Sequence, residues 1–196
     1  MKVAILLTSC VRSTSEDAKV KMSYYLRAID SWLNKTSLPI YIVESSGYSF
    51  PEFDNTRLKV CSFDLQNEPS SSQYEAKSIL YAMNHFREEF KDYTHVLKVT
   101  ARYFVDCENI LLQMKDDDYD ILLQSQVNHK IKFNNSELFG FRIGLEKSIL
   151  EPILQLGLME HAIYDFASRH SHIRFPPIKN THMVKRGGDG LIVNPL

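Results

Sequence analysis

Glycine is missing where two common nucleotide-binding designs need it. The chain has no GxGxxG and no GxxxxGK[ST], which argues against a dinucleotide-binding fold and against a P-loop. The stretch Thr8–Ser15, directly after the first apolar run, contains no glycine at all. Cysteine is scarce too. Cys10, Cys61 and Cys107 are an odd number at wide spacing without a CxxC, so reduced thiols in a cytoplasmic protein are expected, not a disulfide framework or a cysteine metal site. Blocks of five Lys or Arg are absent and the formal net charge is −1, too little basic charge for binding driven by nucleic-acid phosphates. No apolar run approaches the roughly 18 residues of a membrane span, so none is expected. Val3-Ala4-Ile5-Leu6-Leu7 follows Met1-Lys2 but stops at polar Thr8-Ser9, unlike a signal cleavage pattern. It reads as a first strand. Two sequons, at Asn34 and Asn134, carry little weight without a secretion signal.

What remains is an ordinary globular composition: 196 residues, 44% apolar and 24% charged, enough for one domain with a substantial core. Val3–Leu7, Ile40–Val43, Leu58–Phe63 and Val96–Val99 read as strands. Between them, Met22, Tyr25, Leu26, Ile29, Trp32 and Leu33 recur at helical spacing, as do Ala76, Ile79, Leu80, Met83, Phe86 and Phe90. Thr14 or Asp17 suits the start of the first helix. This alternation predicts an α/β fold with a mostly parallel, mixed sheet flanked by helices. In the second half Asp120–Gln124 reads as a strand. Lys130–Phe133 and Glu137–Arg142 read as short strands, antiparallel across an Asn-Asn turn. Leu145–Leu156 and Leu158–Ser168 read as helices, the first begun or interrupted by Pro152. From Arg174 the Pro- and Gly-rich tail reads as loop. No repeat or linker divides the chain, so residues 1–196 are expected to form a single domain, with 1–105 as a nucleotide-binding half and 106–196 as an acceptor half.

The most informative segment is Thr94-His95-Val96-Leu97-Lys98-Val99-Thr100-Ala101-Arg102-Tyr103. Its apolar strand ends in polar residues, and the carboxyl edge of an open α/β sheet is where ligands bind. Lys98 and Arg102 would place two cations there, suited to a diphosphate; a partly exposed strand with snorkelling cations is the other reading. Thr8 and Arg12 after the first strand, and Glu44 and Ser46 after the second, fall on the same predicted edge. They would touch a nucleoside, or simply form surface turns. Ser72-Gln73-Tyr74-Glu75 fits a capping box with Ser72 as N-cap; Glu75 is equally a candidate ligand contact. Asp116-Asp117-Asp118 reads as a solvated acidic turn on the opposite rim. Glu160 opens a late helix, where it serves either as a general base or as an acid favoured by the helix dipole. His170, His172 and His182 could bind a metal, but their spacing is loose and no helix places them on one face. Lys185-Arg186-Gly187-Gly188-Asp189-Gly190 reads as a basic loop able to close over a phosphate leaving group, or as a tail.

Taken with those residues, the chain resembles the GT-A-type glycosyltransferases. The segment Ser72–Ala82, then Lys98-Val99-Thr100-Ala101-Arg102-Tyr103, is similar to a Gly-Glu-x-x-x-Ile-x-x-Ala … Lys-x-Thr-Gly-Arg-Tyr pattern in envelope- and capsule-glycan transferases of bacteria and large DNA viruses. Glu137–Phe141 and Met159-Glu160 extend the likeness. The resemblance implies transfer of a sugar from a nucleoside diphosphate sugar to an acceptor hydroxyl on a glycan or glycoconjugate. Thr8, Arg12, Glu44, Ser46, Glu75, Lys98, Thr100, Arg102 and Arg186 would bind the donor. Glu160, or else Asp189, would be the catalytic base. Two departures stand out. Ala101 takes a place usually held by Gly, so a positive φ there would be strained. Thr100-Ala101-Arg102 also stands where most such enzymes carry Asp-x-Asp for Mn²⁺ or Mg²⁺. Either cations neutralise the diphosphate without metal, or Asp106 or Asp189 supplies a ligand to the ion. A nucleotidyltransferase, and a binding module that has lost catalysis, remain the alternatives.

Overall fold

The computed structural model describes residues 2–12, 17–66, 68–105, 119–124 and 136–175. In chain order these form β1 (Val3–Ser9), α1 (Asp17–Lys35), β2 (Ile40–Glu44), β3 (Leu58–Ser62), α2 (Ser71–His85), α3 (Arg87–Phe90) and β4 (His95–Thr100). Then follow β5 (Ile121–Gln124), β6 (Leu138–Arg142), α4 (Glu146–Leu156), α5 (Met159–Ala167) and β7 (His172–Phe175). The seven strands make one sheet in the order β3-β2-β1-β4-β6-β5-β7. Only β6 runs against its neighbours, pairing antiparallel with β4 and β5. The expected α/β architecture, a mostly parallel mixed sheet flanked by helices, is the one observed.

Side chains alternate across each strand, and the two faces find different helices. Ala4, Leu6, Val96, Phe139 and Phe141 pack under α2, α4 and α5. Ile5, Leu7, Leu97 and Val99 meet Tyr25, Ile29 and Trp32 of α1. All seven residues of β1 are buried because both faces are covered. Gly140 lies where β6 is squeezed between β4 and β5. A Cβ there would stand 3.2 Å from the Leu122 Cβ and 3.3 Å from the Val96 carbonyl oxygen, so only glycine fits without displacement. No helix among the described residues is long and apolar enough to cross a membrane.

Several expectations are corrected. The periodicity from Ala76 to Phe90 is not one helix: α2 ends at His85, Phe86 leaves helical geometry, and α3 follows. The N-cap of α2 is Ser70, whose Oγ accepts from the Gln73 amide at 3.2 Å. The segment Ser70-Ser71-Ser72 offers two registers for a cap, and Ser72 loses because Glu75 is drawn to the sheet. Pro152 lies inside α4, which continues through it. Arg174 is not the start of a loop but part of β7, which adds to the open edge of β5 with Leu123 opposite Arg174. Ala101 avoids a positive φ. Among described non-glycine residues that conformation belongs to Phe50 (φ 52°), whose buried ring packs edge-on to Tyr25 and Tyr48. Thr14, Cys107, Asp116–Asp118, the Lys130–Phe133 segment and His182 lie outside the described residues.

Candidate active site

From β1 the chain moves outward to β2 and β3, then returns to place β4 on the other side of β1. The carboxyl ends of β1 and β4 therefore flank a topological switch point, where open α/β sheets bind ligands. The backbone closes there: the Ala101 amide donates to the Thr8 carbonyl at 2.9 Å. Because β6 is antiparallel to β4, the residues entering it reach the same rim, and the Thr100 amide donates to the Glu137 carbonyl at 2.8 Å.

Alternation along β1 and β4 sends Thr8, Lys98 and Thr100 toward α2. There Glu75, one turn inside that helix, meets them. Its Oε1 lies 2.5 Å from the Lys98 Nζ and accepts from the Thr8 hydroxyl at 2.8 Å. Lys98 also donates to the Ser136 carbonyl at 2.6 Å and to the Thr100 Oγ1 at 3.2 Å. The Ser136 hydroxyl in turn donates to Glu160 Oε1 at 2.8 Å. The expectation that Lys98 offers its charge to a ligand is corrected here. Its side chain is 0% exposed whereas that of Glu75 is 22% exposed, so the ammonium neutralises a carboxylate and only the carboxylate reaches the surface. A buried ammonium without such a partner would cost several kcal/mol.

On the α1 side of the sheet the rim is built around a second carboxylate. Glu44 is fully buried and accepts from the Val11, Ser46 and Tyr48 amides at 2.7, 2.8 and 2.8 Å, as well as from the Ser46 hydroxyl. Ser46 Oγ itself accepts from the Val11 and Arg12 amides. Glu44 and Ser46 thus bind protein, tying the loop after β1 to the loop after β2. Gly47, at φ 88°, supplies the left-handed residue that the second loop needs. Arg12 reaches sideways, donating to the Leu65 carbonyl and pairing with Asp64.

Arg102 follows β4 and lies 3.9 Å from the Glu137 carboxylate. The loop that carries it is held by the Trp32 indole, which donates to the Tyr103 carbonyl, and by the Tyr103 hydroxyl, which donates to Glu137. Lys21 of α1, missed in the sequence, belongs to this side. Its ammonium sits 5.9 Å from the Tyr25 ring centre, and the Tyr25 hydroxyl donates to the Cys10 carbonyl at the end of β1. Burial lowers the Lys21 pKa; Cys10 opposes the shift, Arg102 adds to it, and Glu44 opposes it. Among the described residues Lys21 makes no ion pair. Its helical spacing from Tyr25, one turn on, was the available signal. Ser136 was also missed: the strand expected from Glu137 was paired with Lys130–Phe133, which did not fix its direction against β4.

Arg186, Asp189 and Asp106 lie outside the described residues. Among those described, no three His, Cys, Asp or Glu side chains gather to hold a metal ion, and Glu75 is already neutralised. His170 stacks on Phe166 and meets Asp120 at 3.3 Å.

No protein-family model matches the sequence, and a search of curated proteins finds no relative. Solved structures do match. A glycosyltransferase that takes part in glycosylating the major capsid protein of PBCV-1 superposes with a TM-score of 0.54 at 8% identity, over 89% of this chain and 82% of that one. A nucleoside-diphosphate-sugar pyrophosphorylase from Vibrio cholerae RC9 gives 0.53 at 8% identity, over 89% and 91%. A197 from STIV gives 0.51 at 10%, over 94% and 86%. The chain shares the fold of these structures. At such identities the likeness reaches the architecture and not the side chains.

Proposed function

We propose that this protein transfers a sugar from a nucleoside diphosphate sugar to a hydroxyl of a glycan acceptor, within one domain whose residues 1–105 hold the donor and 106–196 the acceptor. The observation that carries the reading is the pair of part-exposed carboxylates, Glu75 and Glu160, at the β1/β4 switch point. Each has one oxygen fixed by the protein. Among the described residues their Oε2 atoms accept no hydrogen bond, which leaves both available to hydroxyls. Glu75, paired with Lys98 through Oε1, suits accepting from a donor-sugar hydroxyl through Oε2. Glu160 is the base: it takes the acceptor proton as the acceptor oxygen bonds to the sugar's anomeric carbon, and the bond to the diphosphate breaks. Charge developing on the diphosphate falls to Arg102 and Lys21, with Arg186 as a further candidate. Thr8 and Thr100 align Glu75 and Lys98, while Glu44, Ser46 and Arg12 shape the loops beside the nucleoside. We place the protein in the cytoplasm.

Glu160→Gln should abolish release of nucleoside diphosphate in the presence of acceptor while leaving donor-induced thermal shifts intact. Unchanged turnover would remove Glu160 from the base role. Lys21→Ala should weaken nucleoside diphosphate binding about tenfold, or ~1.4 kcal/mol; undiminished binding would remove Lys21 from the diphosphate. A thermal-shift series over UDP-, GDP-, dTDP- and CMP-sugars identifies the donor. Nucleotidyl transfer is the second reading, since a pyrophosphorylase shares the fold; the absence of glycine from Thr8–Ser15 weighs against it. Pyrophosphate release from a nucleoside triphosphate and a sugar 1-phosphate would establish it. Donor binding without any turnover, with or without EDTA, would instead indicate a binding module.

A further inference from the structure

The two carboxylates at the switch point are joined through the protein by a continuous line of short contacts. Glu75 Oε1 meets the Lys98 ammonium at 2.5 Å, that ammonium donates to the Ser136 carbonyl at 2.6 Å, and the Ser136 hydroxyl donates to Glu160 Oε1 at 2.8 Å. We propose that Ser136 is a positioning residue: it aims Glu160 at the acceptor hydroxyl, and buried Lys98 fixes Ser136 in turn. The inference rests on the glycosyl-transfer reading above.

Ser136 is well suited to aim a neighbour because its own backbone has little freedom. Its carbonyl is anchored by a side chain with no solvent exposure. The next carbonyl, of Glu137, accepts from Thr100. The residue after that, Leu138, is already in the sheet, opposite Val99. Glu160, by contrast, has no anchor of that kind. It sits in the first turn of α5, whose N-cap Leu158 offers no side-chain hydrogen bond, and a glutamate there can adopt several rotamers. One hydroxyl bond to Oε1 selects among them and leaves Oε2 to receive the acceptor proton. The same line gives Lys98 a task that explains its burial: it sets the separation of the donor-side and acceptor-side carboxylates. A shift of about 1 Å in such a group can cost on the order of 10²-fold in rate.

The test uses the full chain and two variants, Ser136→Ala and Ser136→Thr. The first readout needs no turnover: the carbon-13 resonance of the Glu160 side-chain carboxyl. It should move in Ser136→Ala and return toward the wild-type position in Ser136→Thr, with circular dichroism verifying that both variants are folded. In turnover, Ser136→Ala should lower kcat about 10²-fold with donor KM unchanged, and Ser136→Thr should recover most of the loss. An unmoved resonance, or a folded Ser136→Ala protein with wild-type kcat, overturns the inference. A moved resonance in a protein that releases no nucleoside diphosphate with any donor supports the Ser136–Glu160 contact and sinks the glycosyl-transfer reading instead.

Discussion

Glu44 and Glu75 stand at the same rim of the same sheet, yet their charges are balanced in opposite ways. Glu44 points to the α1 side, is fully buried, and is satisfied by backbone amides and a hydroxyl. Glu75 points to the α2 side, keeps 22% of its side chain exposed, and is satisfied by an ammonium. Amides that surround a carboxylate use up its acceptor sites, so such a group organises loops and has nothing left for a ligand. A single lysine on one oxygen fixes the carboxylate and leaves the other oxygen open. The difference separates a scaffold acid from an acid that can address a substrate, although the two look alike in a sequence.

The strongest way to break this comparison is to remove Glu44. Glu44→Ala would orphan the Ser46 and Tyr48 amides and leave the Val11 amide only the Ser46 hydroxyl; at about 1–3 kcal/mol for each orphaned amide the loss is on the order of 2–6 kcal/mol. Chemical denaturation measures it. A loss below 1 kcal/mol would mean that water reaches those amides and that Glu44 is free for a ligand after all.

Next comes the ion pair, whose two halves should respond unequally. Glu75→Leu strands a fully buried ammonium and should cost about 3–5 kcal/mol. Lys98→Met leaves a carboxylate that water can reach, so it should cost clearly less. The double variant should recover most of what Glu75→Leu alone loses, because replacing both charges with apolar side chains removes the desolvation penalty as well as the attraction. Equal and additive costs would show that the pair is not coupled and that Lys98 is satisfied mainly by Ser136.

The fold was legible in the sequence to the extent that periodicity carried it. Six strand and helix segments through Val99 were visible in composition and periodicity, and β6 showed itself as Glu137–Arg142, although its antiparallel pairing with β4 and β5 was not foreseen. β7 was not legible, since His172–Phe175 is strand only because β5 offers it an open edge. At the site, the position of Glu160 in a first helical turn and the placing of Thr8, Thr100 and Arg102 at strand ends follow from local pattern. What local pattern could not say is which partner each charge takes. Lys98 and Glu75 are 23 positions apart, and only the folded sheet decides that a cation expected at the surface is spent inside. Glu44 shows the same limit in part: its Ser46 and Tyr48 amide partners are local, but the Val11 amide that ties the two loops together lies 33 positions away in sequence.

The smallest test probes the dryness of the α2 side without touching either acid. Cys61 lies on that side, 2% exposed, opposite Val43 in the sheet, and burial pushes its thiol pKa from 9.0 up to about 12. Because the folded value is raised, the neutral thiol contributes stability that is fully present below pH 9. That contribution is lost as pH climbs from 9 toward 12, with a slope of at most one proton, about 1.4 kcal/mol per pH unit. Cys61→Ala should therefore flatten the alkaline fall in unfolding free energy between pH 9 and 11, while leaving the tyrosine contributions in place. At pH 8 a thiol reagent should modify Cys10, which is partly exposed, well before Cys61, whose reaction should track unfolding. If Cys61 reacts as fast as Cys10 in the folded protein, the α2 side is wet. Lys98 would then need no carboxylate to neutralise it, and the contrast between the two acids would lose its physical cause.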